Sequence, residues 1–226
     1  MDFDEAAKKA PPGWRHFIAD DIGRLPAAVR AHELARVPPG ESDDTLLRGL
    51  FWTLVYHLEA ERWDELARFE PIHPGVIDSL PAQVGTAVDV GAGSGRLTEH
   101  LARRSRRTVA VEPSAGLRGL LHRRLPDVDV IAGWAEHLPI HDGWSELTAA
   151  CGAFGPDPVI LAELKRITAP GGTMALISPE EPEWFEANGW RRLAFPPTSA
   201  PPHPAGLDDF FGPLDPPREI VMMRAS

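Results

Sequence analysis

The side chains best placed by type and spacing to do chemistry lie in one stretch of this 226-residue chain, Thr86-Ala87-Val88-Asp89-Val90-Gly91-Ala92-Gly93-Ser94-Gly95-Arg96-Leu97-Thr98. A β-branched and apolar run enters three alternating glycines and leaves as a helical segment, which reads as strand, tight turn, helix. Glycine lets the main chain take left-handed conformations and lets a ligand lie against it. The helix beyond offers unpaired N–H groups and a partial positive charge. A turn of this kind at the C-terminal end of a parallel strand is a nucleotide-binding place in open α/β sheets. The spacing narrows the nucleotide. A dinucleotide fingerprint needs G-x-G-x-x-G, and its third glycine would fall at Arg96, so a nicotinamide dehydrogenase is the weakest reading. Asp89, two residues before Gly91, sits badly beside a pyrophosphate and well beside an ammonium or a sulfonium.

Other candidates lie further along the chain. Glu112 ends a second strand, 108–111, roughly 20 residues past the glycines, where two carboxylate oxygens suit the 2′ and 3′ hydroxyls of a ribose. Cys151 closes a strand over 146–151 and precedes Gly152-Ala153-Phe154-Gly155, small residues that admit a ligand close to the backbone; its own side chain reads as a small buried apolar group. Tyr56, the single tyrosine, lies near Trp52 and Trp63 on a helical stripe. Such a stripe is first of all packing, and secondly a wall for a flat or cationic ligand. His57 and His73 are the candidate general bases, ahead of His137 and His141. No cysteine cluster supports a metal site.

In order and spacing these stretches resemble the class I methyltransferases that use S-adenosylmethionine (SAM). Asp89-Val90-Gly91-Ala92-Gly93-Ser94-Gly95 is similar to the family's first motif, an acidic residue followed by G-x-G-x-G. Val111-Glu112-Pro113 resembles its second, which implies that Pro113 flanks the adenine. Gly133-Trp134-Ala135-Glu136-His137-Leu138-Pro139 looks like a Gly-Asp-Ala-Glu-x-Leu-Pro stretch in which the Asp accepts from the adenine amino group and the next backbone N–H reaches the ring. Here Trp134 stands in the Asp position; an indole donates and cannot accept, so that contact is absent, replaced, or exchanged for stacking. Ala60-Glu61-Arg62-Trp63-Asp64 resembles a segment that lies over the methionine end of SAM, and Leu164 to Gly172 resembles a Leu-x-Pro-Gly-Gly turn. The resemblance covers about residues 60–224 and implies SAM as cofactor, held by Trp63, Asp89, Gly91, Ala92, Gly93, Gly95, Glu112, Pro113, Trp134, Ala135, Glu136 and Cys151, with His57 and His73 as catalytic candidates.

The elements that must position these groups alternate strand and helix from residue 86 on, which implies a mostly parallel sheet. The expectation is an α/β fold: a seven-stranded, mostly parallel Rossmann-like sheet with helices on both faces and a C-terminal antiparallel hairpin. Residues 1–82 are expected to form a helical cap or lid and 83–226 the SAM-binding core. Within the cap, Leu47, Leu50, Phe51, Leu54, Val55 and Leu58 recur at helical spacing and predict one helix over 43–68. The proline-rich 196–217 reads as a stiff irregular loop.

Composition bounds the rest. Hydrophobic residues make up 43% and charged residues 25% of the chain, the balance of a globular domain. The net charge of −10 disfavours nucleic acid as a partner. A single cysteine, the absence of an apolar leader, and a longest apolar run too short to span a bilayer together suggest a cytoplasmic protein with no membrane partner. The leading expectation is methyl transfer to an O, N or C atom of a small-molecule acceptor. Alternatives are a non-catalytic SAM-binding subunit and a SAM-using enzyme with non-methyl chemistry; a homodimer is left open.

Overall fold

The computed structural model describes residues 2–199, 201–214 and 218–226. Helices come first: α1 (Phe3–Lys9), a 3-10 turn (Pro12–His16), α2 (Ala19–Arg24), α3 (Ala27–Leu34), α4 (Asp43–Gly49), α5 (Phe51–Leu58), α6 (Ala60–Phe69) and α7 (Pro74–Ser79). The alternating part follows as β1 (Val84–Val90), α8 (Thr98–Ala102), β2 (Ser105–Val111), α9 (Ala115–Arg124), β3 (Asp129–Ile131), β4 (Ser145–Cys151), α10 (Pro158–Ile167), β5 (Thr168–Ile177), α11 (Pro182–Ala187), β6 (Arg191–Ala194), α12 (Ala205–Phe211) and β7 (Ile220–Ala225).

The strands form one sheet in the order β3-β2-β1-β4-β5-β7-β6. All neighbours are parallel except β7, which runs antiparallel to β5 and β6. The order reverses between β1 and β4, so the C-terminal ends of these two strands flank the switch point at which open sheets bind ligands. Alternation along the strands feeds two faces. Val88 and Val90 pack with Ile160, Leu164 and Ile167 of α10 on one face, whereas Ala87 packs with Leu101 of α8 and with Val76 and Ile77 of α7 on the other.

Some helices start at side-chain caps. Ser114 Oγ accepts from Leu117 N at α9, and Asp157 accepts from Val159 N and Ile160 N at α10. The helix expected over 43–68 is instead three. Leu50 (φ −96°, ψ 6°) and Glu59 (φ −128°, ψ 44°) leave helical geometry, and the breaks let α4, α5 and α6 wrap a separate core of Phe3, Phe17, Leu54 and Leu66. Gly49 contributes by its bareness, because a Cβ there would overlap the Phe3 ring.

Two further expectations are corrected. The 196–217 stretch carries α12, which buries Leu207, Phe210 and Phe211 in the same cap core; within that stretch Ala200 and 215–217 lie outside the described residues. The Ala169-Pro170-Gly171-Gly172 turn is absorbed into β5, as a register break opposite Ser145 and Leu147.

Candidate active site

The glycine turn is fixed from below by β2. Gly91 N and Ala92 N both donate to Val111 O, at 2.9 and 3.1 Å. Gly91, Gly93 and Gly95 take φ of +69°, +56° and +102°, the left-handed region that residues with a Cβ enter at a cost. Above Gly93 stands Trp63 of α6, whose indole nitrogen is 3.2 Å from where a Cβ on Gly93 would lie. Trp63, Asp89, Gly91, Gly93, Arg96 and Cys151 are among the groups that enclose a hollow of about 30 Å³ at the ends of β1 and β4. That is room for one or two water molecules.

Asp89 is buried and accepts from Thr98 Oγ1 at 2.6 Å. Burial pushes its carboxyl up to about 7, with the Thr98 bond working in the other direction. Glu112 is also buried, but both its oxygens serve the main chain. Oε2 accepts from Gly93 N at 2.9 Å and Oε1 from Ser114 N at 2.7 Å. Burial raises its carboxyl as well, opposed by these two N–H groups. Cys151 reaches the hollow, and burial pushes its thiol up, away from the thiolate a nucleophile would need.

The remaining expected contacts lie outside the hollow. Gly95 packs towards Leu121, 3.1 Å from a would-be Cβ. The Pro113 carbonyl accepts from Arg118. Trp134 stacks on His32 of α3 with ring centroids 4.5 Å apart, Glu136 lies 3.6 Å from His32 Nε2, and Ala135 packs against the sheet core. Neither candidate base joins Asp89. His73 caps α7, its Nδ1 accepting from Gly75 N, and stacks on Phe195. His57 lies on α5, where burial and the Arg118 charge lower its pKa. Among the described residues, no group of three or more His, Cys, Asp or Glu is placed to hold a metal ion.

Several site residues escaped the sequence reading. Asp64 is a buried hub that accepts from Arg68 at 2.6 Å and from Arg124 at 2.5 Å. Against the cost of burial, the Ser94 side chain and the Arg124 and Arg68 guanidiniums hold its carboxyl below the usual range. Arg124 also donates to Ser94 O, so cap, α9 and glycine turn share one network. Ser114 Oγ donates to Tyr56 O, a second tie from cap to core. The adjacency of Trp63 and Asp64 was the available signal; Arg124, which ties Asp64 to the glycine turn, lies 60 residues from it in sequence.

The donor set fits the methionine half of SAM. A bare backbone cradle lies beside a buried carboxyl suited to a sulfonium, under an aromatic side chain. Trp63 of α6 lines the hollow together with the turn.

A seven-stranded sheet of this order, with a carboxylate-glycine turn at its switch point, defines the class I, Rossmann-like methyltransferase fold, and comparison with known proteins agrees. Residues 87–172 match the family described as a methyltransferase domain. An uncharacterized methyltransferase of Mycobacterium tuberculosis is 34% identical over 107 residues, 46% of this chain and 44% of that protein. A demethylmenaquinone methyltransferase of Paenarthrobacter aurescens is 35% identical over 118 residues, 48% of this chain and 46% of that protein. The chain thus spans about half the length of these curated relatives. A crystal structure of a SAM-dependent methyltransferase of Thermotoga maritima, described as a possible histamine N-methyltransferase, superposes with a TM-score of 0.54. It is 22% identical and covers 77% of this chain and 98% of its own, a likeness of fold. No helix among the described residues is long and apolar enough to cross a membrane.

Proposed function

We propose that this protein transfers a methyl group from SAM to a small-molecule acceptor, with residues 1–82 as a cap over a cofactor-binding core of 83–226. The observation that carries the reading is the turn itself: Asp89 and three left-handed glycines, held by β2 and faced by Trp63, at the switch point of the sheet. Bound SAM would supply a methyl carbon already activated by the sulfonium. The chain's own task is then to bind, orient and exclude water. Gly91 and Gly93 admit the ligand to the backbone, Asp89 offers a carboxylate to its positive charge, and Trp63 withdraws to admit it and returns to exclude solvent.

The acceptor is taken as small because Trp63, which lines the hollow, is packed into an aromatic cluster with Trp52, Tyr56 and Phe211. The placement of His57 and His73 away from the hollow favours an acceptor atom that needs no protein base, or the alternative of a SAM-binding subunit without turnover. Titration calorimetry with SAM and with its demethylated product S-adenosylhomocysteine, followed by product analysis over an acceptor panel, tests both. Heat from either ligand with a methylated product supports the enzyme; heat without product across the panel supports the subunit; no heat from either removes both.

A further inference from the structure

Two walls of the hollow are tied together by a side chain that is not part of its lining. Trp63 and Ala67 of α6 form one wall, and Gly93 and Ser94 of the glycine turn form another. Asp64 follows Trp63 in sequence and is buried, 2% exposed. Its Oδ1 accepts from Arg124 Nη2 at 2.5 Å. The other terminal nitrogen of the same guanidinium, Nη1, donates to the Ser94 carbonyl at 2.8 Å. Arg124 therefore bridges the residue beside the indole and the peptide beside Gly93. Both bonds are charge-assisted, and the planar fork holds its two acceptors at a set separation.

Helix α9 is the frame for both walls. Its middle underlies the turn, with Leu121 lying 3.1 Å from where a Cβ on Gly95 would stand. Its first turn supports the end of α5 and the start of α6. Ser114 Oγ donates to Tyr56 O at 2.6 Å, and a Cβ on Gly116 would lie 2.8 Å from the Cβ of Ala60. Arg124 is the last residue of α9 and supplies a second point of attachment for α6. Held at Ala60 and at Asp64, the main chain of α6 keeps Trp63 at one distance from the turn. An indole that swings aside to admit a ligand returns to that distance. The hollow of about 30 Å³ leaves little slack between the walls.

We propose that Asp64 and Arg124 are positioning residues that gauge the width of the cofactor site, and so select a methyl group on the ligand's sulfonium over larger alkyl groups. They act through Trp63 and the Ser94 peptide. This inference rests on the methyltransferase reading, in which Asp89 faces the sulfonium in the same hollow. A methyl sulfonium then needs the least widening. An added methylene must push α6 from the turn against the two bonds of Arg124.

Titration calorimetry on the full chain with SAM, S-adenosylethionine and S-adenosylhomocysteine tests this. SAM and S-adenosylethionine carry the same charge and differ by one methylene. Wild type should bind SAM about tenfold tighter than S-adenosylethionine, and Arg124→Met should narrow that ratio to about threefold or less. Arg68→Met is the control. It removes the other guanidinium from Asp64, one that is 65% exposed, and leaves the bridge to Ser94 in place. Its ratio should stay within about twofold of wild type. Where Arg124→Met does not fold, Arg124→Lys, whose ammonium lacks the fork, should narrow the ratio in the same direction. If wild type binds SAM and the ratio is near one, or is the same in the Arg124 variant, the gauge is overturned and the methyltransferase reading stands. A folded Arg124 variant that loses all three ligands alike overturns it as well. So does an Arg68→Met ratio that narrows as far as that of Arg124→Met, since the effect then belongs to the charge of Asp64 and not to the bridge. If wild type binds neither SAM nor S-adenosylhomocysteine, both fall.

Discussion

Asp89 and Glu112 end adjacent parallel strands, and both are buried, yet they have opposite jobs. Glu112 spends its oxygens on Gly93 N and Ser114 N, and so locks the glycine turn to the start of α9. Asp89 accepts from Thr98 and borders the hollow, with its carboxyl raised to about 7. A carboxylate that takes one backbone donor on each oxygen braces the turn and keeps further lone pairs for a ligand. Burial raises both carboxyls, and a positive group arriving beside Asp89 would supply stabilisation that its buried carboxylate lacks.

The largest effect should come from breaking the scaffold member. Glu112→Ala leaves two buried N–H groups unpaired and should cost about 2–4 kcal/mol in denaturant unfolding, with Glu112→Gln losing roughly half of that. A loss below about 1 kcal/mol together with abolished S-adenosylhomocysteine binding would reverse the two assignments.

Asp89→Asn should do the opposite: little loss of stability at pH 7, and SAM binding weakened by about tenfold. The pH dependence has a definite sign. A carboxyl whose folded pKa is raised to about 7 from an unfolded value of 3.8 binds more protons when folded, so stability falls as pH rises from 4 to 7 and levels off above. Thermal melts across that window should show the decline in wild type and a flatter profile in Asp89→Asn. Smaller again, the SAM to S-adenosylhomocysteine affinity ratio should rise a few-fold from pH 6 to 8 as Asp89 ionises, since only SAM carries the cation. A flat ratio would mean that Asp89 does not face the sulfonium.

The sheet was legible because its signals are local. Short apolar strands, cap residues such as Ser114 and Asp157, and glycines at fixed offsets each announce an element within a few residues. The cap was less legible. Leu47 to Leu58 has continuous helical periodicity, yet the chain breaks at Leu50 and Glu59 to close around Phe3 and Phe17, partners set by tertiary packing. The apolar spacing of Leu207, Phe210 and Phe211 was hidden by the prolines around it. At the site, Asp89 and the glycines could be read because one turn holds them all. The Asp64–Arg124, Glu70–Arg218 and His32–Trp134 pairs join residues 60 to 148 positions apart, with no local pattern to betray them.

The smallest expected effect sharpens the comparison at the adenosine end. There the resemblance asks for an adenine beside Trp134, and the structure puts the His32 imidazole on that indole, 30° from parallel. Both rings are only half-buried, and the His32–Glu136 contact is 3.6 Å between partly exposed groups. His32→Ala should therefore change stability by less than about 1 kcal/mol. If the imidazole holds the place of a stacked base, removing it frees that face, and 5′-methylthioadenosine should bind a few-fold tighter to the variant. If instead His32 and Trp134 clasp the base between them, the same variant should bind it more weakly. Quenching of Trp134 fluorescence on titration, with Trp134→Phe as the blank, separates the two and shows whether the β2–β3 end is as finished as Glu112 makes it.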